Sequence, residues 1–410
     1  MSEKKRPNPL AKALAQEALI NVLEQPKKKS EHKKSLVIGI PAENSSDEKR
    51  ICLTPESVGV LVNNGLKVIV QSGAGQASHF SDRLYSEKGA EITYDASTVF
   101  KSDIVLKLNP PTLEELEYMN NGATLMSALQ RSQLKVDFLN HVNQKKITAI
   151  GFELIEDKGG LKPVVRSLSE IASNCIISIA AECLSNINDG IGVMFGGITG
   201  VPPLKIVILG AGTIGENVCR IARQMGAEVK VFDNHHYKLR RLKKDLADQV
   251  YTSMIDNYTL EHELKDADVV VGCLRSEDGQ SMCVVTEDMV MNMKRGAVII
   301  DASISQGGCF ETSRMTTHEN PTYTKHDIIH YCVPNISSRV SKTATRALSY
   351  LFTPMLIQMQ RLGGVEAMIE DKSWFMKGVY SYRGCLTNQN LARIYGLDYK
   401  DLNLFFAARF

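Results

Sequence analysis

Residues 205–215 read Lys-Ile-Val-Ile-Leu-Gly-Ala-Gly-Thr-Ile-Gly, the types and spacing of a phosphate cradle. An apolar run enters a GxGxxG string, and a helix-forming stretch follows over 213–225. A second apolar run, 228–232, then ends in Asp233, eighteen residues past Gly215. Each part has a chemical task. Gly210 permits the tight turn, Gly212 lets the backbone approach a pyrophosphate, and Gly215 lets helix and strand pack closely. The helix start offers unpaired N–H groups and a positive dipole end to phosphates. A carboxylate at Asp233 accepts from a ribose 2′-hydroxyl and repels a 2′-phosphate, so the pattern implies NAD rather than NADP. The other glycine string, Gly73-Ala-Gly75, has no third glycine and no following helix start, and reads as a loop.

Other reactive side chains form weaker patterns. The nine Cys are scattered without CxxC spacing. Cys175, Cys183 and Cys219 lie in apolar runs, as buried thiols of a reducing compartment do. His326 and His330 lie four apart in an expected strand, where that spacing shares a face. No Cys or carboxylate pattern surrounds them, so no metal site is expected. Asp301 ends another expected strand and is read as orienting the turn that follows.

The elements that must position these residues alternate along the chain. Strands are expected at 36–41, 67–71, 103–108, 124–129 and 147–152, with helices from Thr54 to near Gly65, over 82–89 and over 113–119 between them. Such alternation implies a parallel sheet with helices on both faces. A long helix over 169–186 follows, its Ile176, Ile179, Ala180, Cys183 and Leu184 at helical spacing, and then a glycine-rich stretch, 189–203. A second alternating unit has strands at 205–210, 228–233, 249–252, 268–272 and 297–302. A further long helix carries Leu348, Leu351, Phe352, Met355, Leu356 and Met359 on one face. Pro354 should kink it and Gly363–Gly364 should stop it. Residues 365–410, with the single Trp374, read as helices and loops.

Long helices at both ends of the second unit indicate an insertion. The expected fold is therefore α/β with two Rossmann-like doubly wound domains. A nucleotide-binding domain, 165–340, is inserted into a discontinuous catalytic domain, 35–164 and 341–410. Residues 1–34 form a basic helical extension.

Bulk properties agree with this division. A chain of 410 residues exceeds a single typical core. Of its net charge of +2, residues 1–34 hold more than all, with nine Lys/Arg against four Glu, so the remainder is slightly acidic. It offers no basic field for nucleic acid. The extension, with Leu10, Leu14, Leu19, Val22 and Leu23 on one helical face, reads as solvated or subunit-packing. No secretory signal and no membrane-length apolar run is visible, and 171–184 is interrupted by Asn174 and Glu182. A cytoplasmic location follows by elimination.

Beyond the glycine loop, several segments occur in an order that resembles alanine dehydrogenase and its relative, the NAD-binding alpha component of proton-pumping transhydrogenase. They are Glu48-Lys-Arg-Ile-Cys-Leu-Thr-Pro55, Gln71-Ser-Gly-Ala-Gly75, Gly196-Gly-Ile-Thr-Gly-Val-Pro202, Gln306-Gly-Gly-Cys-Phe-Glu311 and Tyr331-Cys-Val-Pro-Asn335. The likeness runs from residue 36 to about 385 and is greater to alanine dehydrogenase. It implies a cleft between the domains, a hexamer, and the reaction L-alanine + NAD⁺ + water to pyruvate + ammonium + NADH. By position it adds Ser169, Thr213, Lys238, Arg314, Val333, Asn335 and Ile336 as cofactor contacts. For Lys238 and Arg314 a surface salt bridge is an equal alternative.

The same resemblance implies an Arg and a Lys for the substrate carboxylate, and a His and an Asp for proton transfer. Arg50 matches the Arg. The Lys position holds Asn109, the His position Gln130 and the Asp position Ser305; none of these titrates near neutral pH. The loop over 277–283 also departs from the family pattern. Lys107, two residues before Asn109 and on the same strand face, is a replacement for the missing cation. Arg131 is a clamp or a solvated charge, and His79 is a candidate proton carrier. Two functions remain: an alanine-dehydrogenase-type enzyme with an altered acid–base set, acting on a small amino acid or 2-oxo acid, or an NAD(H)-binding sensor or transhydrogenase-like component.

Overall fold

In the computed structural model, residues 35–129, 134–188, 190–247, 249–275 and 282–407 are described. The apolar runs become two sheets. Six short parallel strands build most of the first: β1 (Val37–Ile40), β2 (Lys67–Gln71), β3 (Glu91–Thr93), β4 (Ile104–Leu106), β5 (Thr124–Ser127) and β6 (Thr148–Gly151). The second contains β7 (Lys205–Leu209), β8 (Glu228–Asp233), β9 (Tyr251–Met254), β10 (Val269–Gly272), β11 (Val298–Asp301), β12 (Thr322–Lys325) and β13 (Ile328–Tyr331). Near the C-terminus, β14 (Val379–Tyr382) and β15 (Cys385–Leu386) return to the first sheet. Its order is β15-β14-β6-β5-β4-β1-β2-β3, and that of the second is β12-β13-β11-β10-β7-β8-β9. Among the described strands, only the edge pairs, β12 with β13 and β14 with both β6 and β15, are antiparallel.

Central strands such as β5, β6, β10 and β11 are buried along their whole length. That is why the sequence shows unbroken apolar runs there rather than alternation. Each sheet is covered on both faces. In the first, Ile38, Ile40 and Ile104 pack against Leu348, Phe352 and Leu356 of the helix Ser341–Leu362. Val105 and Leu125 face the other way, toward Phe138 and Leu139. In the second, Ile206, Ile208 and Val271 pack against Ile176, Ile179 and Ala180 of the helix Pro163–Leu184, while Val207 and Ile299 face Leu260 and Leu264. The helix Pro163–Leu184 is long and apolar enough, by length and composition, to cross a bilayer, yet its apolar side is packed on the second sheet.

Two expectations need correction. Residues 379–386 form a hairpin, where helices and loops were expected; Arg383 and Gly384 supply the positive φ values of its turn. His326 is not within a strand. It and Asp327 both have positive φ in the tight turn between β12 and β13, so His326 contacts Glu287 while His330 pairs with Thr312. Helix Ser341–Leu362 runs continuously through Pro354 and stops at Gly363, whose φ is 102°. The helix tolerates Pro354 because the carbonyl deprived of its donor belongs to exposed Tyr350, which water can reach.

Candidate functional site

Strand β7 delivers the glycine string to the carboxyl edge of the second sheet. The three glycines answer to three different surroundings. A Cβ at Gly210, whose φ is +118°, would stand 2.7 Å from the Cys273 carbonyl oxygen. One at Gly215 would stand 1.8 Å from the Gly210 carbonyl oxygen, so helix and strand meet only because that atom is missing. A Cβ at Gly212 would meet nothing within 4 Å. The backbone there borders open space that a ligand can approach closely. Gly212 is also the N-cap of the helix Thr213–Gln224 and provides no capping side chain, which leaves first-turn N–H groups for an anion.

Asp233, at the end of β8, is buried and rigidly held. Its Oδ2 accepts the Ala211 N–H at 2.7 Å, and its Oδ1 accepts the His235 N–H at 2.8 Å and lies 2.9 Å from His235 Nδ1. Lys238 Nζ is 4.0 Å from Oδ2. Asp233, His235, Lys238, Leu274, Arg275 and Met282 line a cavity of about 240 Å³. Open space at Gly212, an uncapped helix start and a carboxylate in a small cavity together fit a dinucleotide.

Other expected cofactor contacts are placed in three ways. The Ser169 carbonyl accepts from Ser173 Oγ at 2.7 Å, and the same hydroxyl lies 3.3 Å from the carbonyl of Ile214, the residue after Thr213. Val333 and Ile336 are buried in the second core. Asn335 donates to the Asp47 carbonyl at 2.8 Å and lies 3.0 Å from His318 Nε2. Arg314 is exposed and stacks over the Tyr323 ring at 4.2 Å, an aromatic partner that charge spacing did not foretell. Asp301 holds its turn, accepting from the Ser303 and Cys309 N–H groups and from Ser313 Oγ.

On the first sheet, the loop after β1 carries Arg50. Its Nε and Nη2 grip both oxygens of Glu48, at 2.7 and 2.5 Å, and its Nη1 donates to Ser337 at 2.8 Å. Burial opposes charge on Glu48, but Arg50 outweighs it and holds the carboxyl below its usual range. Lys107 is 1% exposed and ends on Glu43 at 3.1 Å. Glu43 also accepts the Leu108 and Asn109 N–H groups, at 2.7 and 3.2 Å. Burial raises the Glu43 pKa despite these partners. Asn109 is half-buried beside it, and Ser305 lies half-buried in the turn after β11. His79 is exposed with a left-handed φ of 60°. Gln130 and Arg131 lie outside the described residues.

Sequence reasoning missed the carboxylates. Glu43 and Glu48 are buried counter-ions, for which the one available signal was that an Arg and a Lys entering a core require partners. It also missed Glu153, just past β6, 7% exposed, which accepts from Tyr380 Oη at 2.7 Å and from the Leu129 N–H at 3.2 Å. From the loop after β10, exposed Arg275 reaches Gln306. With the amide oxygen of Gln306 turned toward it, Nε and Nη2 donate at 3.0 and 2.8 Å. The loops that follow β1 and β13 meet, through Arg50 with Ser337 and through Asn335 with the Asp47 carbonyl.

Known proteins resemble this chain over most of its length. Residues 39–172 match the family model described as alanine dehydrogenase/PNT, N-terminal domain, and residues 176–389 match the C-terminal domain model. Alanine dehydrogenase 2 of Staphylococcus aureus strain Mu50 is 34% identical over 366 residues, covering 89% of this chain and 98% of the relative; that of strain USA300 gives the same figures. A solved L-alanine dehydrogenase superposes with a TM-score of 0.81 at 29% identity, over 88% of this chain and 99% of the other. A transhydrogenase from Sinorhizobium meliloti, at 19% identity, shares the fold with a TM-score of 0.74, over 86% of this chain and all of the other.

Proposed function

Because the chain belongs to the alanine dehydrogenase/PNT family and is an NAD-dependent oxidoreductase, we propose that it interconverts a small amino acid and its 2-oxo acid. The reaction by analogy is L-alanine + NAD⁺ + water to pyruvate + ammonium + NADH + H⁺. The observations that carry the reading are the Gly212 cradle beside Asp233 and an arginine, Arg50, tied through Ser337 to the segment that follows the last strand of the same sheet. In this reading residues 165–340 form the nucleotide domain, 35–164 with 341–410 form the substrate domain, and the protein is a cytoplasmic hexamer.

NAD, when bound, supplies the hydride acceptor. The Gly212 backbone and the start of helix Thr213–Gln224 hold its phosphates, and Asp233 accepts from its adenosine ribose. Asn335 and Ser337 adjoin both the nucleotide side and the Arg50 loop, so a substrate carboxylate on Arg50 is oriented from both halves. Glu48 takes the Nε–Nη2 edge of the guanidinium and Ser337 one Nη1 donor, so the Nη1–Nη2 edge is the one that would meet a substrate carboxylate. Asn109 and Ser305 hydrogen-bond the reacting groups without moving a proton, and turnover of alanine is correspondingly slow.

The second reading, an NAD(H)-binding component without amino-acid chemistry, is favoured by the same two residues. NADH formation with a panel of amino acids, run beside NADH binding by fluorescence, separates them. Turnover with any amino acid supports the enzyme. Tight NADH binding with none supports the second reading. No NADH binding defeats both.

A further inference from the structure

The carboxylate expected to meet the adenosine ribose is covered. Asp233 is 1% exposed, whereas the side chains of His235 and Lys238 keep 32% and 21% of their surface. A carboxylate offers about four acceptor positions. Three are filled: Oδ1 takes the backbone N–H of His235 at 2.8 Å and its ring Nδ1 at 2.9 Å, and Oδ2 takes the Ala211 N–H at 2.7 Å. The spacing of the motif implies an open carboxylate that grips a ribose diol and repels a 2′-phosphate. The structure shows one with an imidazole laid against it.

The ring is held on both sides of its task. Facing an anionic oxygen at 2.9 Å, Nδ1 carries a proton, since an unprotonated nitrogen there would set lone pair against lone pair. Lys238 Nζ, 3.3 Å from the same Nδ1, therefore cannot donate to it, and its charge acts on Asp233 Oδ2 at 4.0 Å. The ring also meets Tyr237 edge to face, with centroids 5.7 Å apart. His235 is the N-cap residue of the helix His236–Asp245, and Tyr237 and Lys238 lie in its first turn. One short stretch after β8 thus builds both the carboxylate and its cover. A ribose hydroxyl reaches Oδ1 by turning the ring aside, which costs a charge-assisted hydrogen bond. A 2′-phosphate meets an imidazole and an ammonium before it meets the carboxylate, and the same two groups offset the negative charge behind them. The ring therefore weakens the hold on a 2′-hydroxyl and lessens the rejection of a 2′-phosphate.

We propose that His235 is a positioning residue that sets nucleotide selectivity through Asp233: by covering the carboxylate, it narrows the preference for NADH over NADPH that an open carboxylate would impose. The inference rests on the oxidoreductase reading above and concerns how its nucleotide is chosen. Fixed charges elsewhere around the cavity act alike on wild type and on a His235 variant, so the change in the ratio of the two affinities isolates the ring.

The test is a pair of nicotinamide-fluorescence titrations of the full-length protein, one with NADH and one with NADPH. His235→Ala should widen the ratio of the NADPH Kd to the NADH Kd at least about tenfold, the scale of one charge-assisted hydrogen bond, by tightening NADH and weakening NADPH together. His235→Gln, whose amide N–H can still donate to the carboxylate, should recover part of the wild-type ratio. In an Asp233→Ser background, His235→Ala should change the ratio by less than about twofold, because the ring acts through the carboxylate. A merely structural role would weaken both nucleotides alike, and melting curves of each variant accompany the titrations. An unchanged or narrower ratio in His235→Ala, equal weakening of both nucleotides, or the same widening without Asp233 would overturn the proposal. The single variant decides even where Asp233→Ser does not fold. If wild type binds neither nucleotide, the oxidoreductase reading falls and the proposal with it; if it binds NADH and the ratio ignores His235, the proposal falls alone.

Discussion

At the scale of single residues, two glycines of one motif make opposite predictions. A methyl group at Gly215 would fall 1.8 Å from the Gly210 carbonyl oxygen, so backbone must shift. Gly215→Ala should lose on the order of 1–3 kcal/mol of stability, as overpacked sites do. A methyl group at Gly212 meets no protein atom. Gly212→Ala should therefore melt with wild type yet bind NADH at least about tenfold more weakly, since the methyl occupies the space the phosphates need. Parallel melting curves and NADH titrations check both, and a Gly212→Ala protein with unaltered NADH affinity would show that the pyrophosphate lies elsewhere. The Arg50–Glu48 pair makes a further prediction. Glu48→Gln leaves a buried guanidinium short of its counter-charge and should cost about 3–5 kcal/mol, read as a fall in the denaturant midpoint. An unchanged midpoint would mean that Arg50 finds another partner.

At the scale of elements, the β12–β13 hairpin contains a pH-sensitive contact. His330 is fully buried, stacks on Tyr323 at 4.9 Å and pairs with Thr312 at 2.8 Å. Burial, reinforced by Lys325, His326 and Arg314, lowers its pKa to about 4. The unfolded chain binds a proton near pH 6.5. Because the folded value is depressed, the stability is fully present above pH 6.5 and is lost as pH falls toward 4, on the order of 3 kcal/mol at the limit. His330→Phe keeps a ring against Tyr323 but cannot titrate. Its stability should fall less steeply between pH 6.5 and 4 than that of wild type. Identical slopes in urea titrations at several pH values would assign the acid sensitivity to other groups.

The whole molecule is tied together by two 22-residue helices, Pro163–Leu184 and Ser341–Leu362, and by the loop around Asp47. The Asp47 carbonyl accepts from Asn335 and Ser338, its side chain accepts the His318 N–H, and Thr345 and Ser349 receive the N–H groups of Ile51 and Thr54. The Arg50 loop is thereby held by the segment that also carries expected nucleotide contacts. NADH bound to the second sheet should stabilise both halves, by about 2.7 kcal/mol at one hundred times its Kd. Calorimetry should show one transition that moves upward as a unit with NADH. Two separate transitions, only one of them NADH-sensitive, would show that the halves are thermodynamically independent.

What the sequence determined by itself was whatever depends on near neighbours in the chain. The GxGxxG string and Asp233 share one strand–helix–strand unit, so their roles follow from local spacing, and long buried strands declare themselves as apolar runs. Family membership was legible for the same reason, through short ordered motifs. Tertiary structure decided what depends on partners far along the chain. Glu153 and Tyr380 lie 227 residues apart in the chain, so no local pattern could pair them. The 379–386 hairpin exists because β6 offers its edge to β14. The burial of Arg50 with Glu48, and of Lys107 with Glu43, likewise arises only once loops from separate strands converge, because a charge's environment is set by packing rather than by its position in the sequence.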